Sequence, residues 1–537
     1  MHPSSPSPAS NSTPTATGTR ARSIRGQDGN EPGWHLWLRG AGAGILTTLP
    51  LIILHIMPSR QTLYHELLPL NSVYQGVLID FVVVVLFCFL ALRIVERWSD
   101  LHCGLAWVLV AGVLVVRVFR GLVVAELVSP KVASSGGIFL AVVVPGVILW
   151  LVSRLWYRRA VRGGRFILLL LGFSIVWLLP ELTVMAFRAE PHETAGFSKP
   201  IAQPPQRRIV WILLDEASQD QIFDHRQAGV DFPDFDRLAN GAVHFTNVQP
   251  AGYFTEKVIP SLLTGDIISD ERSDLDGRLF VRTERNRHWH VYPDGQTLFA
   301  DAKQEGWSTA AVGWYNPYCR TEGAELDHCY WTLTTPLPGR YNPDQSAIEN
   351  AVAPLAKSFL RAVGRHPEDP APWQMHTDDF NVLLQHARRE IAENGGFIFI
   401  HLPVPHPGGL YNRRTHQIGV DGSYLDNLVL ADETLGALLE AVDATPLADR
   451  TTVIVSSDHS WRVGLWRPTT DWRPEDTQVS GGRFDPRPLL MVRFAGESEG
   501  MTITRAFPLI DMHAMIEAML AGRMNSAADL ETWAAQQ

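Results

Sequence analysis

The chain is poor in cysteine, with four in 537 residues: Cys88, Cys103, Cys319 and Cys329. A small scaffold stapled by many disulfides is therefore excluded. There is also no basic patch with interleaved aromatics, the grip that nucleic-acid binders place on phosphate backbones. No short basic start leads into an apolar stretch with a small-residue cleavage site, so the N-terminus does not read as a signal peptide. Residues 1–33 are instead rich in Ser, Pro, Thr, Gly and Asn. Such composition buries no core and reads as a disordered cytoplasmic tail. The second half of the chain has no internal repeat.

The chain is too long for one ordinary domain, and its two parts are unlike. Residues 1–189 carry 16 Lys/Arg against 8 Asp/Glu, whereas the remainder carries 30 against 48. Five apolar runs follow the tail, at roughly 41–57, 74–92, 104–127, 136–153 and 166–187. Most reach the ~20 residues that cross ~30 Å of hydrocarbon. A single run could be a buried core helix; five in succession predict a five-helix transmembrane domain over 34–189. Basic residues fall in the tail (Arg20, Arg22, Arg25, Arg39), at Arg93 and Arg97, and at Arg154, Arg158, Arg159, Arg162 and Arg165. The positive-inside rule then puts the N-terminus in the cytoplasm. An odd number of spans puts everything beyond about 190 on the other side of the cell's inner membrane. Cys319 and Cys329 lie in that extracytoplasmic part, where a disulfide is permitted; two buried thiols are the alternative.

Residues 190–206 read as a linker, and 207–537 as a soluble domain. Short apolar, β-branched runs recur there: "RRIVWILLDEASQD" from 207, "STAAVGWY" (308–315), "GFIFIHLPVPH" (396–406), "TTVIVSSDHS" (451–460) and "PLLMVRF" (488–494). Between them, 378–394 and 422–443 place apolar residues at helical spacing. Strands alternating with helices predict an α/β fold with a largely parallel sheet. Such sheets bind ligands beyond the carboxyl ends of their strands. Those ends carry Asp215-Glu216, His401 and His406, and Asp458-His459. Taken singly, each has a bland reading as a helix cap, a turn or a core histidine. Together they suit a divalent cation, zinc or manganese, bound by oxygen and nitrogen ligands. The expected metal ligands are Asp215, Glu216, Asp458 and His459, with Thr255 filling a further position. Thr255 stands in "AGYFTEKVIPSLLTGD" (251–266) at the start of a helical run. A cation lowers the pKa of a bound hydroxyl, and helix N-terminal amides favour an anionic group beside it. The alternative is that Thr255 is only an N-cap. His401, Asn316 in "GWYNPYCR" (313–320) and Arg462 are the candidates for substrate contact.

This order of motifs resembles the sulfatase-like branch of the alkaline phosphatase superfamily. The residues that carry the resemblance are the acid pair, Thr255 followed by Pro260-Ser261-Leu262-Leu263-Thr264-Gly265, the His-x4-His strand end and "VIVSSDHS". They span about 207–520. Five spans ahead of such a domain are similar to phosphoethanolamine transferases and lipoteichoic acid synthases. The resemblance implies an alkaline-phosphatase-like fold and a Thr nucleophile, Thr255, that takes a headgroup phosphate from a phospholipid. It also places the family's metal ligands on Glu216, Asp458 and His459, and a histidine that contacts substrate or leaving group on His406. Thr stands where sulfatases carry the Cys or Ser that becomes formylglycine. The further His of the phosphoethanolamine transferases is absent; Arg462 and Arg467 stand in that stretch.

The expected function is a metal-dependent phosphotransferase. Its donor is a membrane phospholipid of phosphoethanolamine or phosphoglycerol type. Its acceptor is an envelope lipid or glycan, reached through a phospho-threonine, with His406 protonating the leaving alcohol. A phosphate or sulfate ester hydrolase of the same superfamily is the first alternative. A non-catalytic membrane-anchored scaffold is the second. No nucleic-acid partner is expected.

Overall fold

The computed structural model describes residues 33–56, 70–95, 157–188, 196–200, 207–293, 297–333, 372–419 and 422–536. The chain divides into two compact units, one N-terminal and one that contains all of residues 179–537.

In the N-terminal part, helices α1 (Gly33–Ile56), α2 (Leu70–Val95), α3 (Tyr157–Phe173) and α4 (Ile175–Phe187) cover three of the five apolar runs. The runs at 104–127 and 136–153 lie outside the described residues. Small residues let α1 and α3 pack backbone to backbone. A Cβ on Gly42 would fall 2.0 Å from the Leu168 carbonyl oxygen, and one on Gly172 would fall 1.9 Å from that of Leu38. Among the described residues, Tyr74–Ile94 alone is long and apolar enough to cross a membrane by itself. Arg162–Phe173 and Ile175–Phe187, bent by 41°, make a second span if they act as one. The described residues therefore do not support a bundle of five spans.

The second unit is built on a nine-stranded sheet. In chain order its strands are β1 (Gly196–Ser198), β2 (Arg208–Leu214), β3 (Val243–Phe245), β4 (Thr309–Trp314), β5 (His328–Thr332), β6 (Gly396–Leu402), β7 (Thr451–Ser456), β8 (Leu490–Arg493) and β9 (Met501–Ile503). In space the order is β1-β5-β4-β6-β2-β7-β8-β3-β9. The five central strands, β5 to β7, run parallel. β8 pairs antiparallel with both β7 and β3, and β1 pairs antiparallel with β5. All five strands expected from apolar runs are present. β1 falls inside the segment read as a linker and was not legible in it, since an edge strand of three residues has no pattern of its own.

β2, among the parallel strands, is apolar from Ile209 onward because both its faces are covered. Ile209, Trp211 and Leu213 of β2 enter one core, beneath α5 (Thr255–Thr264) and the helix Met512–Leu520. Val210, Ile212 and Leu214 enter the other, beneath α6 (Pro372–Glu393) and α7 (Tyr424–Asp443). α7 begins at a capping box in which Ser423 and Asp426 satisfy each other's backbone amides.

At the foot of β2, Arg208 is buried. It donates to Thr451 Oγ1 at 3.0 Å, Ile391 O at 2.6 Å, Thr445 Oγ1 at 2.7 Å and Val442 O at 3.4 Å. A guanidinium thus closes the C-terminal ends of α6 and α7, where a cation suits the helix dipoles. Burial pulls its pKa down to about 10, and it stays charged at neutral pH. Arg208→Ala should lower the free energy of unfolding by about 3 kcal/mol, because carbonyls and hydroxyls are stranded in the core. Arg208→Lys should recover only part of that loss, since an ammonium cannot span the same acceptors. Denaturant unfolding followed by tryptophan fluorescence measures both.

Candidate metal centre and nucleophile

Three neighbouring strands of equal height bring the acids together. β6 and β2 are in register from Gly396↔Arg208 to Leu402↔Leu214, and β7 and β2 to Ser456↔Leu213. Asp215-Glu216 leaves the end of β2, and Asp458-His459 follows the end of β7. Directly after β2 the chain turns through Glu216 in the left-handed region, at φ 66. That conformation is costly for a side-chain-bearing residue and gathers at functional sites. Here Tyr424 OH holds it by donating to Glu216 O at 2.7 Å.

Asp215, Asp458 and His459 are fully buried, or nearly so. One ligand atom from each lies within 4.8 Å of the others. Asp215 Oδ1 and Asp458 Oδ2 receive no hydrogen bond, although His459 Nε2 lies 3.0 Å from the latter. Buried carboxylate oxygens without donors are costly, and their convergence with an imidazole nitrogen matches the donor set of a divalent cation. From the protein groups alone, burial and the nearby Asp458 push the Asp215 carboxyl up to about 6, while His401 opposes the rise. Burial acts on Asp458 in the same direction, but the adjoining His459 imidazole wins and holds it well below the usual carboxylate range.

Thr255 joins this cluster. It is the first residue of α5, whose N-cap is Phe254 and has no side-chain capping bond. The N-cap alternative therefore fails: the Thr255 hydroxyl lies 3.1 Å from His459 Nε2 and caps nothing. Gly252 gives the approach room, since a Cβ there would meet Val258 Cγ2 at 2.8 Å.

Glu216 and Arg462 turn out to be partners. Arg462 donates from Nε to Glu216 Oε1 at 2.7 Å and from its backbone amide to Oε2 at 3.1 Å, and its Nη2 makes a short contact with Oε1. Trp466 Nε1 reaches both oxygens at 2.9 and 3.0 Å. A carboxylate so fully bonded differs from the open ligand expected of Glu216. An arginine so engaged also differs from the substrate contact expected of Arg462. A second possible cluster, Asp215, Glu216 and His406, shares Asp215 with the first, but its Glu216 oxygens are already neutralised by the guanidinium.

His406 stands between two indole edges, with ring centroids 5.0 Å from Trp314 and 4.8 Å from Trp466. Its Nδ1 lies 2.8 Å from Pro407 O and donates there, so Nε2 is the free acceptor. Burial first, then Arg462 and His376, lower its pKa well below the usual value. His401, expected near substrate, is instead sealed between Tyr318 and Asp215. Asn316 lines a small cavity against α5 with Pro260, Tyr318 and Glu322. Cys319 and Cys329 form a disulfide, with Cα atoms 5.5 Å apart. Three supports were not picked out from sequence: Tyr318, Tyr424 and Trp466. Their aromatic character was visible, but each acts through a polar tip whose partner lies far away in the chain.

The sulfatase family pattern matches residues 207–480. No curated protein matches the sequence significantly. Solved structures similar to the chain include a Pseudoalteromonas sulfatase, at 17% identity over 59% of this chain and 68% of that one, TM-score 0.38. The phosphonate monoester hydrolase of Agrobacterium radiobacter is 15% identical over 59% and 74%, TM-score 0.35. The lipoteichoic acid synthase LtaP of Listeria monocytogenes is 13% identical over 59% and 72%, TM-score 0.36. A pattern match over more than half the length, spanning the strand ends and the helix start that build the cluster, means that this chain belongs to the sulfatase family.

Proposed function

We propose that the chain is a membrane-bound phosphotransferase that passes a phospholipid headgroup phosphate through Thr255 to an envelope lipid or glycan. The observation that carries this reading is the Thr255 hydroxyl, in the first turn of a helix and 3.1 Å from His459 Nε2, which itself lies 3.0 Å from Asp458 Oδ2. Threonine cannot be converted to the formylglycine of sulfate ester hydrolysis, which favours direct attack on phosphorus. Asp215, Asp458, His459 and Thr255 are the residues that would hold a cation, zinc or manganese. When bound, such a cation lowers the hydroxyl pKa and offsets the charge that develops on the phosphoryl oxygens.

The remaining work falls to the chain itself. The first-turn amides of Thr255 and Glu256 have no intrahelical acceptor and face the incoming phosphodiester. Thr255 Oγ forms a bond to phosphorus as the bond to the lipid's glycerol oxygen breaks. The Thr255 hydroxyl gives up its proton to solvent as it attacks, and the diacylglycerol leaves with the electron pair of the broken bond and takes a proton from solvent, while the headgroup phosphate stays on Thr255. Resting His406 has no proton on Nε2 to give, so its place is in the second step. There Nε2 accepts the proton of the acceptor hydroxyl, whose oxygen bonds to phosphorus as Thr255 Oγ departs. With water as acceptor the same site is a hydrolase.

We place the described N-terminal helices in the inner membrane as an anchor. Residues beyond about 190 then face outward, a placement that the Cys319–Cys329 disulfide supports.

Thr255→Ala should lower turnover by about 10³-fold or more, and Thr255→Ser should retain part of it. Intact-protein mass spectrometry after mixing with a phospholipid should find the headgroup phosphate on Thr255. With donor labelled at phosphorus, label should appear on an acceptor lipid or glycan; label released only as a water-soluble phosphate would establish the hydrolase instead. Dialysis against EDTA should abolish turnover, and manganese or zinc should restore it. Full activity in the chelated protein would refute the metal centre.

A further inference from the structure

Tyr318, 1% exposed, opens the four-residue helix Tyr318–Thr321 beneath the acid cluster. Its hydroxyl lies 2.8 Å from His401 Nδ1, and His401 Nε2 lies 3.3 Å from Asp215 Oδ2. Neither Tyr318 nor His401 is at the surface, so neither meets a substrate. Burial drives the Tyr318 phenol well above its ordinary pKa, and the hydroxyl keeps its proton. A phenol that donates to Nδ1 leaves the hydrogen of a neutral imidazole on Nε2. That hydrogen faces Asp215 Oδ2. Only Oδ1 of this carboxylate then remains without a donor, and it is one of the two orphaned oxygens of the cluster.

The surroundings are shaped to hold this geometry. Gly313 lies opposite His401 in the ladder between β4 and β6. A Cβ there would fall 2.0 Å from Tyr318 Cε2, so only glycine lets the ring lie under the strand. The next residue, Cys319, is disulfide-bonded to Cys329 on β5. At Gly323 a Cβ would fall 2.1 Å from Cys319 O, so the turn after the helix is equally tight.

We propose that Tyr318 is a positioning residue for the metal centre: its hydroxyl fixes the ring and tautomer of His401, which in turn holds Asp215 with Oδ1 turned toward the cation. The Cys319–Cys329 bond and Gly313 keep Tyr318 in reach. This inference rests on reading the Asp215, Asp458 and His459 cluster as a metal centre.

The test measures affinity of the full-length protein for Mn²⁺ and Zn²⁺ by competition with a chelator of known strength. Tyr318→Phe keeps the ring and removes the hydroxyl. It should weaken metal binding by about ten- to a hundredfold, the usual cost of losing an outer partner of a ligand. In a His401→Gln background, where the amide donates to Asp215 without help, Tyr318→Phe should change the affinity no further. Wild-type affinity in Tyr318→Phe would overturn the proposal. So would an equal loss in both backgrounds, which would make the hydroxyl a packing group. A wild-type protein that binds neither ion would instead remove the metal-centre reading on which the proposal stands.

Discussion

Three carboxylates, Asp215, Glu216 and Asp458, are fully buried within a few ångströms of one another at the ends of two adjacent strands. Like charges at that spacing repel strongly in a medium of low dielectric. The fold must therefore bring countercharge to them, and much of the surrounding structure can be read as doing so. Arg462 neutralises Glu216 and is itself held charged against the penalty of burial by Glu216, Asp215 and Asp458. His459, also fully buried, is favoured in its charged form by Asp458. Asp215 Oδ1 and Asp458 Oδ2 are left without a hydrogen bond, the latter 3.0 Å from His459 Nε2. The Arg462 guanidinium sits on Glu216, the carboxylate that the second possible cluster would need.

The rest of the second unit explains why the acids meet at all. A parallel sheet covered on both faces forces its strands to be apolar and in register, so the first polar residues after each strand arrive at one height. Asp215, His401 and Asp458 come from three strands joined side by side as β6, β2 and β7. Sequence separation of more than 180 residues between Asp215 and His401 is cancelled by a ladder of backbone hydrogen bonds. Arg208, at the opposite end of β2, ties the ends of α6 and α7 to the same strand. The strand that delivers the acid pair is thus anchored at its foot before it delivers them at its head.

This logic also sets what could be read from sequence. Continuous apolar runs with acids or histidines at their ends are a consequence of double burial, and so the strands, the acid pair, Asp458-His459 and Thr255 were all visible. Direct pairing between distant side chains leaves no such trace. Nothing in "SWRVGLWRP" announces that Arg462 and Trp466 both close on Glu216, and nothing in "HLPVPH" separates a buried His401 from a His406 at the site. The two differ by the pleat and the exit of one strand: His401 still lies within β6, whereas His406 has left it. In the N-terminal part the apolar runs report composition alone, and composition does not say how many of them form single uninterrupted spans.

Thr255 departs from local helix-capping preference. A threonine at the start of a helix usually stabilises it by capping, worth about 1 kcal/mol. Here the helix begins one residue earlier, at Phe254, and goes without a side-chain cap. The threonine is moved to the first helical position, where its hydroxyl cannot reach back to the amides of the following turn. The helix offsets the loss at its other end, where Gly265 takes the left-handed conformation and its amide bonds to Ser261 O at 2.8 Å. Violations of a local rule in an otherwise consistent fold mark places where another constraint prevails. At residue 255 that constraint is the approach of one hydroxyl to one imidazole nitrogen across 204 residues of chain. Glu216, beside Asp215 and in the left-handed region at the end of β2, is a second such violation.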